Sequence, residues 1–327
     1  MKKNSKYTRR EAMATMGAMA SLLGGIPGTA MAQATDYPKR PITIVVPYPA
    51  GGTTDILGRM IAEGLYRELG QQAVVINRPG AGAMIGANQV AKSAADGYTL
   101  LLAAPGTWIN SVIFKQAQFQ FSDFQPVVLV GRSPLVVSIN PKLPVKTIQE
   151  FIAYGKANPG KLSYGNGGPG TSTTLTLEYF LKVTGIEAVG VPYGGSGQAL
   201  TDLVAGNIDF FFDGISTSLQ HFQTGRLRGL AVTHGNRLST APDIPTLKEV
   251  GYPDLVVDTL YGVLAPAKVP AAIVAQLHGA INKIMNTDGA VKQLLGLGVI
   301  NAKTTTDGFR EEIDADLARW RMVVKPS

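Results

Sequence analysis

The chain has 327 residues, with 30 Lys and Arg against 23 Asp and Glu, a formal net charge of +7 and no cysteine. This length is enough for two domains that each have a core of their own. The lack of cysteine excludes disulfide bonds, cysteine–zinc sites, a cysteine nucleophile and a lipid-modified cysteine.

The first 32 residues have the pattern of a cleaved export signal. Five Lys and Arg residues lie between Lys2 and Arg10, an apolar stretch follows at 12–26, and an A-x-A cleavage site ends at Ala32. The alternative is a membrane anchor, for which the stretch is too short and too rich in glycine. The pair Arg9-Arg10 indicates the twin-arginine export route, with the Sec route as the alternative.

Cleavage of the export signal would remove much of the net positive charge. Residues 1–32 carry four of the seven net positive charges, so the rest of the chain is near +3. That remainder has no basic cluster with interleaved aromatic residues, and we therefore expect no nucleic-acid partner. It also has no later apolar run of about 18 residues. The expected location is the bacterial periplasm.

The rest of the chain alternates short apolar strands with amphipathic helices. The predicted strands cover residues 42–46, 73–76, 99–102, 127–130, 135–139, 208–212, 229–232 and 256–264. The predicted helices cover residues 54–69, 84–92, 147–157, 172–183, 197–205, 270–285 and 306–323. Such alternation is typical of α/β proteins with mainly parallel sheets.

Two strand patterns are expected to cross between two lobes. The apolar run at 127–139 is interrupted by Gly-Arg-Ser-Pro at 131–134, and the run at 256–266 is long and contains Gly262. Crossing strands would form a two-segment hinge with a ligand cleft between the lobes. Lobe 1 would then comprise residues 33–135 and 259–327, and lobe 2 residues 136–258. The alternative is two independent domains in series.

Residues 42–59 carry the strongest functional signal, because a strand, a glycine-rich turn and a helix start follow one another. Thr53 or Thr54 is a suitable N-cap, and free N–H groups at such a helix start favour an anion. No Lys or Arg lies between residues 42 and 58, so the loop offers dipoles, which suit a carboxylate. The candidate ligand contacts are Tyr48, Ala50, Gly51, Gly52, Thr53 and Thr54.

Side chains near these candidates have competing interpretations. Asp55 and Arg59 have the i, i+4 spacing of a helix ion pair, which we favour over ligand contact. Loops after the next strands lie at the same predicted sheet edge, where open α/β sheets bind ligands. In those loops Gly82 and Ala83 leave room for a ligand, and Thr107 offers a hydroxyl. Trp108 is either a flat wall for an aromatic acid or a core residue.

Lobe 2 is predicted to supply the other half of the site. The run Gly-Asn-Gly-Gly-Pro-Gly at 165–170 formally matches a dinucleotide motif, but Pro169 inside the turn argues against a nucleotide. We interpret it as a loop containing Asn166 that leads into a helix capped by Thr171 or Ser172, whose N-terminus faces the cleft. Asp213 either accepts a hydrogen bond from a ligand hydroxyl or amine, or ties its own loop together.

The sequence contains no recognisable catalytic or metal constellation. None of His221, His234 and His278 has a partner at metal-ligand spacing. No G-x-S-x-G elbow has an acid and a histidine in workable order. We therefore expect neither enzymatic activity, nor a metal, nor a cofactor.

Motifs spread over about 290 residues resemble the Bug-type extracytoplasmic solute receptors, which are the binding proteins of tripartite tricarboxylate transporters. The blocks that carry this resemblance include Pro-Tyr-Pro-Ala-Gly-Gly-Thr-Thr-Asp at 47–55, Asn-Arg-Pro-Gly-Ala-Gly at 77–82, Asp-Gly-Tyr-Thr-Leu at 96–100, Val-Pro-Tyr at 191–193, Gly-Asn-Ile-Asp at 206–209 and Pro-Asp-Ile-Pro-Thr at 242–246. The chain departs from the usual pattern at Ala50, where the family usually has Pro, near Tyr261, where it often has Trp, and at Gly194, where it often has Lys. Pocket wall and local charge are therefore expected to differ.

The resemblance implies a type II periplasmic-binding-protein fold. It also implies that main-chain groups and ordered waters hold a ligand carboxylate between the first loop, at 47–55, and the lobe 2 loop around 165–172. It also implies a monomer that captures a small organic carboxylate, such as a dicarboxylate, a tricarboxylate or an aromatic acid. The ligand would pass to the large and small membrane subunits of a tripartite transporter. A sensory receptor and an exported enzyme on the same scaffold are the alternative functions.

Overall fold

The structure is a computed structural model that describes residues 36–113, 117–168 and 171–323. The predicted export signal, residues 1–32, lies outside the described residues. Within them, no helix is both long enough and apolar enough to cross a bilayer. Residues from Tyr37 onward form one compact unit.

The strands are short except for β4 and β9. They are β1 (Ile42–Val46), β2 (Ala73–Asn77), β3 (Thr99–Ala103), β4 (Phe124–Ile139), β5 (Leu162–Asn166), β6 (Ala188–Pro192), β7 (Phe210–Gly214), β8 (Arg228–Val232), β9 (Asp258–Pro266) and β10 (Ile300–Asn301). The helices fill most of the intervals. They are α1 (Thr53–Leu69), α2 (Met84–Ala91), α3 (Pro105–Ile113), α4 (Ile148–Ala157), α5 (Ser172–Thr184), α6 (Ser196–Ala205), α7 (Ile215–Gln223), α8 (Ala271–Met285), α9 (Asp288–Gly296) and α10 (Thr306–Val323).

The strands form two sheets that share β4, in the order β2-β1-β3-β9-β4-β7-β5-β6. Strands β1, β2 and β3 pair in parallel, as do β5, β6 and β7. By contrast, β9 is antiparallel to both β3 and β4. The α/β class predicted above is confirmed, but the sheets are mixed instead of mainly parallel, because the two long strands run against their neighbours.

Strand β4 connects the sheets without a break, so the predicted interruption at residues 131–134 is wrong. Its first part, up to Pro134, pairs with β9, and from Leu135 onward it pairs with β7. Gly131 and Arg132 also pair with β10. Register shifts along the β9 pairing accommodate Gly and Pro without ending the strand. The lobe boundaries after residues 135 and 258 stay a prediction.

The central strands of each sheet are buried on both faces, as expected for strands with helices on either side. Along β1, Ile44 and Val46 join one hydrophobic cluster whereas Val45 joins the opposite one, which follows the two-residue period of a strand. Phe151, Phe180 and other residues of α4, α5 and β7 form a separate core around the second sheet. The sequence therefore builds one core system per sheet, and the loops at the strand ends are left to form the site.

Candidate functional site

A cleft of about 590 Å³ lies where the loops of both sheets meet. This volume is typical of small-molecule sites. The first sheet contributes the loops after β1 and β3 together with Gly82, which follows β2. The second sheet contributes the residues after β5, β6 and β7. Ser133 of β4 and Thr259 and Tyr261 of β9 form part of the lining between them.

The loop after β1 is held in shape by a buried carboxylate. Asp55 Oδ2 accepts a hydrogen bond from the backbone N–H of Gly51 at 2.9 Å, and Asp55 Oδ1 accepts one from Asn77 Nδ2 at 2.9 Å. Arg59 donates to both oxygens at 3.0 Å, so the predicted helix ion pair is confirmed. The hydrogen bond from Arg59 is the main reason why the pKa of Asp55 is lowered to about 2. Asp55 therefore organises the loop as a fixed anion.

Helix α1 begins one residue earlier than predicted. Its N-cap is Gly52, without a side-chain cap, so neither Thr53 nor Thr54 caps the helix. Both threonines instead belong to the first turn and line the cleft. Their neighbour Gly51 has φ of +85°, a conformation that glycine adopts at little cost. The turn thus directs main-chain N–H groups toward the cleft.

A hydrogen bond from Asn110 of helix α3 holds the loop after β2 in place. Asn110 is fully buried, and its Nδ2 donates to the carbonyl of Gly82 at 2.6 Å. Gly82 has φ of +62°, and a Cβ added there would lie 2.5 Å from Asn110 Nδ2. Only glycine therefore fits this close approach between the loop and α3.

Two tyrosines supply neutral, partly apolar walls. Burial raises the pKa of the Tyr48 phenol, and the nearby Thr107 hydroxyl opposes that shift. Burial likewise raises the pKa of Tyr261 to about 12, with a smaller opposing effect from Thr53. Both phenols are protonated at neutral pH, so each can donate a hydrogen bond to an anion.

The start of α5 is capped as predicted by Thr171. Its Oγ1 accepts a hydrogen bond from the backbone N–H of Thr174 at 3.4 Å and donates one to the carbonyl of Gly168 at 2.9 Å. Ser172 Oγ accepts a hydrogen bond from Thr259 Oγ1 at 3.1 Å, which ties this helix start to β9. Asn166 Oδ1 accepts from Gly168 and from Thr174, so it shapes the loop.

Asp213 lies at the end of β7, immediately before helix α7. It is 3% exposed, and its Oδ2 accepts hydrogen bonds from Thr217 Oγ1 at 2.6 Å and Ser218 Oγ at 2.9 Å. Burial raises the pKa of this carboxyl, whereas the bonds from Thr217 and Ser218 act in the opposite direction. Asp213 thus holds its own loop together through these hydrogen bonds, and it also lies in the lining of the cleft.

The starts of five helices border the cleft. Residues of the first turns of α1, α3, α5, α6 and α7 belong to its lining. No Lys, Arg or His occurs among the described lining residues. Unpaired N–H groups at helix starts favour anions. The arrangement therefore makes the cleft a candidate site for a small anion.

Nine of the predicted site residues lie together in the lining: Tyr48, Ala50, Gly52, Thr53, Thr54, Gly82, Thr171, Ser172 and Asp213. Five others lie outside the lining: Gly51, Ala83, Thr107, Trp108 and Asn166. Trp108 is fully buried in a hydrophobic cluster of the first sheet, where its indole N–H donates to Asp316 Oδ2 at 2.9 Å. Of the two interpretations given above, Trp108 is therefore a core residue and not a wall of the cleft.

Sequence reasoning missed several lining residues. Ser216 and Thr217 follow a strand and open a helix, the same signal that identified Thr53, so they could have been found. Asn110 and Leu297 carry no local signal, because they reach the cleft only through the packing of α3 and α9. Among the described residues, no group of three or more His, Cys, Asp and Glu side chains gathers in a way that could hold a metal.

A second groove, of about 620 Å³, lies between α1, α8 and α9. Its charged side chains already pair with one another or with neighbours: Arg67 contacts Glu63 at 3.4 Å, and Lys283 contacts Glu68 at 2.7 Å. The groove therefore offers little uncompensated potential to a charged ligand, and the cleft between the sheets is the better candidate site.

Known proteins match nearly the whole chain. Residues 57–326 match the sequence model described as tripartite tricarboxylate transporter family receptor. The protein BugT of Bordetella pertussis is 36% identical over 299 residues, which cover 89% of this chain and 90% of BugT.

Solved structures are similar over nearly the whole fold. A protein of R. palustris solved with adipate has 33% identity and a TM-score of 0.77, over 88% of this chain and 97% of its own. MatC from Rhodopseudomonas palustris, with bound malate, has 28% identity and a TM-score of 0.76, over 88% and 100% of the two chains. These likenesses confirm the predicted two-lobed fold of the periplasmic binding proteins.

Proposed function

The chain belongs to the receptor family of tripartite tricarboxylate transporters, and from this membership we propose that it is a periplasmic protein that captures a small organic carboxylate. The family is one of receptors, and two similar proteins were solved with the dicarboxylates adipate and malate. We further propose that the loaded protein delivers its ligand to the large and small membrane subunits of a tripartite transporter.

One observation carries the proposal: helix starts from both sheets line the same cleft, and none of its described lining residues is Lys, Arg or His. Helix α1 approaches from the first sheet and α5 from the second, and both first turns line the cleft. A carboxylate between them would accept hydrogen bonds from both lobes at once. Ligand binding would thus stabilise the arrangement in which the lobes are close together.

Magnitudes show that helix dipoles need support from other contacts. A dissociation constant of about 1 μM corresponds to about −8 kcal/mol, whereas one helix start contributes about 0.3–1 kcal/mol to an anion. Five starts therefore supply at most about 5 kcal/mol. Hydrogen bonds from threonine, serine and tyrosine hydroxyls, together with burial against Tyr48 and Tyr261, supply the rest.

The proposed hinge consists of β4 and β9, which carry Ser133 and Thr259 into the cleft lining. These two strands pair with each other along most of their length. Rotation of one lobe against the other would concentrate at the point where β4 leaves β9 and joins β7, at Pro134 and Leu135. Closure would then bring the loop after β5 toward the loop after β1.

The experiment is a thermal-shift screen of the purified protein, stripped of ligand by denaturation and refolding, against about a hundred organic acids. Each acid is paired with its neutral primary amide. Acids that bind raise the melting temperature with the concentration dependence RT ln(1 + [L]/Kd), whereas the amides do not. If amides or amines stabilise as well as acids, or if no acid acts on a protein that still unfolds cooperatively, the carboxylate proposal is wrong.

Delivery requires its own measurement. Uptake of the identified acid by vesicles containing both membrane subunits of the transporter is measured with and without the loaded protein. Uptake that depends on the protein supports a transport role. Binding without any effect on uptake would favour the sensory-receptor alternative.

A further inference from the structure

The charge of the cleft is unbalanced. Asp213 is the one charged side chain among the described residues that line it. The imidazole of His221, further along α7, has a minor electrostatic influence on Asp213 and does not belong to the lining. A cleft that is bordered by helix starts, which favour anions, is therefore also lined by a largely buried acidic group.

The hydrogen bonds of Asp213 use only part of its acceptor capacity. Oδ2 accepts hydrogen bonds from both Thr217 and Ser218, on the first turn of α7. Ser218 is itself fully buried and also lies 3.2 Å from the hydroxyl of Ser138 on β4, which fixes the direction of its side chain. The backbone N–H of Gly214 also donates a hydrogen bond to this carboxylate. An ionised carboxylate has about four acceptor positions, so these three donors leave it able to accept a further hydrogen bond from a ligand in the cleft, which Asp213 lines.

A structural role alone does not account for an acid at this position. Asp213 does not cap α7, whose N-cap is Gly214 without a side-chain cap bond, and a neutral asparagine could accept from Thr217 and Ser218 through its amide oxygen. A carboxylate that is 3% exposed and forms no ion pair with a Lys, Arg or His of the described residues carries a desolvation cost that a neutral side chain would avoid. A hydrogen-bond donor supplied by the ligand would offset that cost.

We propose that Asp213 is a specificity determinant, which selects carboxylates that also carry a hydrogen-bond donor, namely a hydroxyl or a protonated amine. This inference rests on the proposed function, because it presumes that the carboxylate lies at the helix starts. The carboxylate of the ligand occupies the part of the cleft that is lined by helix starts, and its donor group reaches the carboxylate of Asp213. Acids without such a donor leave the remaining acceptor position of that carboxylate desolvated and unpaired, and so bind more weakly.

The test uses acids that differ at one carbon only. Succinate, malate and aspartate form one triplet; glutarate, 2-hydroxyglutarate and glutamate form a second; propionate, lactate and alanine form a third. Dissociation constants are measured by calorimetry on the ligand-free protein. In the triplet that binds, the hydroxy or the amino acid is expected to bind at least tenfold more tightly than the unsubstituted acid, and the comparison between those two identifies the preferred donor.

The substitution Asp213→Asn then inverts the preference. Thr217 and Ser218 both donate, so the amide oxygen of asparagine will take the place of Oδ2 and its NH₂ group will face the cleft. The variant should lose at least tenfold in affinity for the hydroxy or amino acid, and bind the matching 2-oxo acid, pyruvate or 2-oxoglutarate, better than the hydroxy acid. Asp209→Asn is the matched control, because Asp209 accepts from Ser163 and lies outside the cleft lining.

The outcomes separate the two proposals. Binding of carboxylates by the unmodified protein without preference for a donor overturns this inference and leaves the proposed function intact. The same conclusion follows if folded Asp213→Asn protein keeps the original preference. If Asp213→Asn does not fold, the triplets measured on the unmodified protein still decide. If no carboxylate binds at all, both proposals are wrong.

Discussion

Trp108 and Trp320, the two tryptophans of the chain, donate their indole N–H groups to opposite oxygens of one buried carboxylate. Trp108 Nε1 lies 2.9 Å from Asp316 Oδ2, and Trp320 Nε1 lies 2.8 Å from Asp316 Oδ1. Burial raises the pKa of Asp316, whereas the bond from Trp108 acts against that shift. This arrangement fastens α10 to α3, the helix whose first turn borders the cleft, so Trp108 supports the site from behind.

The substitution Trp108→Phe should therefore lower stability without changing ligand affinity. Phenylalanine keeps most of the apolar contact but leaves Asp316 Oδ2 without a donor, which we expect to cost about 1–3 kcal/mol of the free energy of unfolding. Urea denaturation and calorimetry of the same preparation check both parts. Trp320→Phe is the control, since it removes the equivalent bond from the other oxygen. A loss of affinity at unchanged stability would instead place Trp108 in contact with the ligand.

Asp55 should make the protein less stable in acid. Its pKa is lowered to about 2 in the folded state, mainly by Arg59, from a usual value near 4. Its contribution is therefore present above pH 4 and is lost as the pH falls from about 4 toward about 2. Arg59 is 57% exposed on its side chain, so solvent screening limits the contribution of Asp55 to about 1 kcal/mol or less.

The corresponding variant is Asp55→Asn. It should be less stable at pH 7 and should show a shallower fall in the free energy of unfolding between pH 4 and pH 2. Denaturant titrations at several pH values measure this slope. A slope equal to that of the unmodified protein would show that other carboxylates dominate acid unfolding.

The cap of α5 should matter for binding, whereas an equivalent cap elsewhere should not. Thr171 caps α5 at the cleft, and Thr147 caps α4 by accepting from the backbone N–H of Glu150 at 3.2 Å. Thr171→Val and Thr147→Val should each lose about 1 kcal/mol of stability. Only Thr171→Val should also weaken binding of the identified acid, by about fivefold. Equal affinities for the two variants would remove α5 from the anion site.

Gly298 should control how closely the segment before β10 approaches α7. Its φ is +66°, and an added Cβ would lie 2.7 Å from Ser216 Cβ and 3.0 Å from the Ser216 nitrogen. Gly298→Ala should displace the first turn of α7 and weaken ligand binding about three- to tenfold, besides a strain cost of about 1 kcal/mol.

Gly70→Ala is the matched control for that substitution. Gly70 has φ of +70°, and a Cβ there would meet nothing within 4 Å. The control shares the backbone strain but lacks the contact with Ser216, so its affinity should equal that of the unmodified protein. A similar loss of affinity in both variants would indicate a general effect of destabilisation.

The parts of the site that sequence analysis predicted are those built from neighbouring residues. The strand at 42–46 is observed with the same bounds, and the helix predicted from residue 54 begins at Thr53. Thr171 was recognised as a cap because capping depends on residues three positions apart. Turns and helix caps can thus be predicted from neighbouring residues, without any knowledge of the tertiary structure.

Contacts between distant segments were not predictable in this way. Trp108 and Asp316 are 208 positions apart, and no local sequence pattern predicts their hydrogen bond. Leu297 enters the cleft lining through the packing of α9. Strand β4 was divided in error because Gly131 and Pro134 resemble strand breakers, whereas pairing with β9 and β10 keeps the strand continuous. Tertiary pairing overrode local propensity in that case.

The absence of Lys, Arg and His from the described lining of the cleft has a consequence for how such a receptor can change during evolution. In the proposed site, backbone N–H groups would attract the anion, and no point substitution other than proline deletes such a group. Serine, threonine, alanine and tyrosine side chains around the anion can therefore be exchanged without removing the anchor. After gene duplication, substitutions of these side chains could therefore change which acid is bound, while binding of the carboxylate itself is kept at every step.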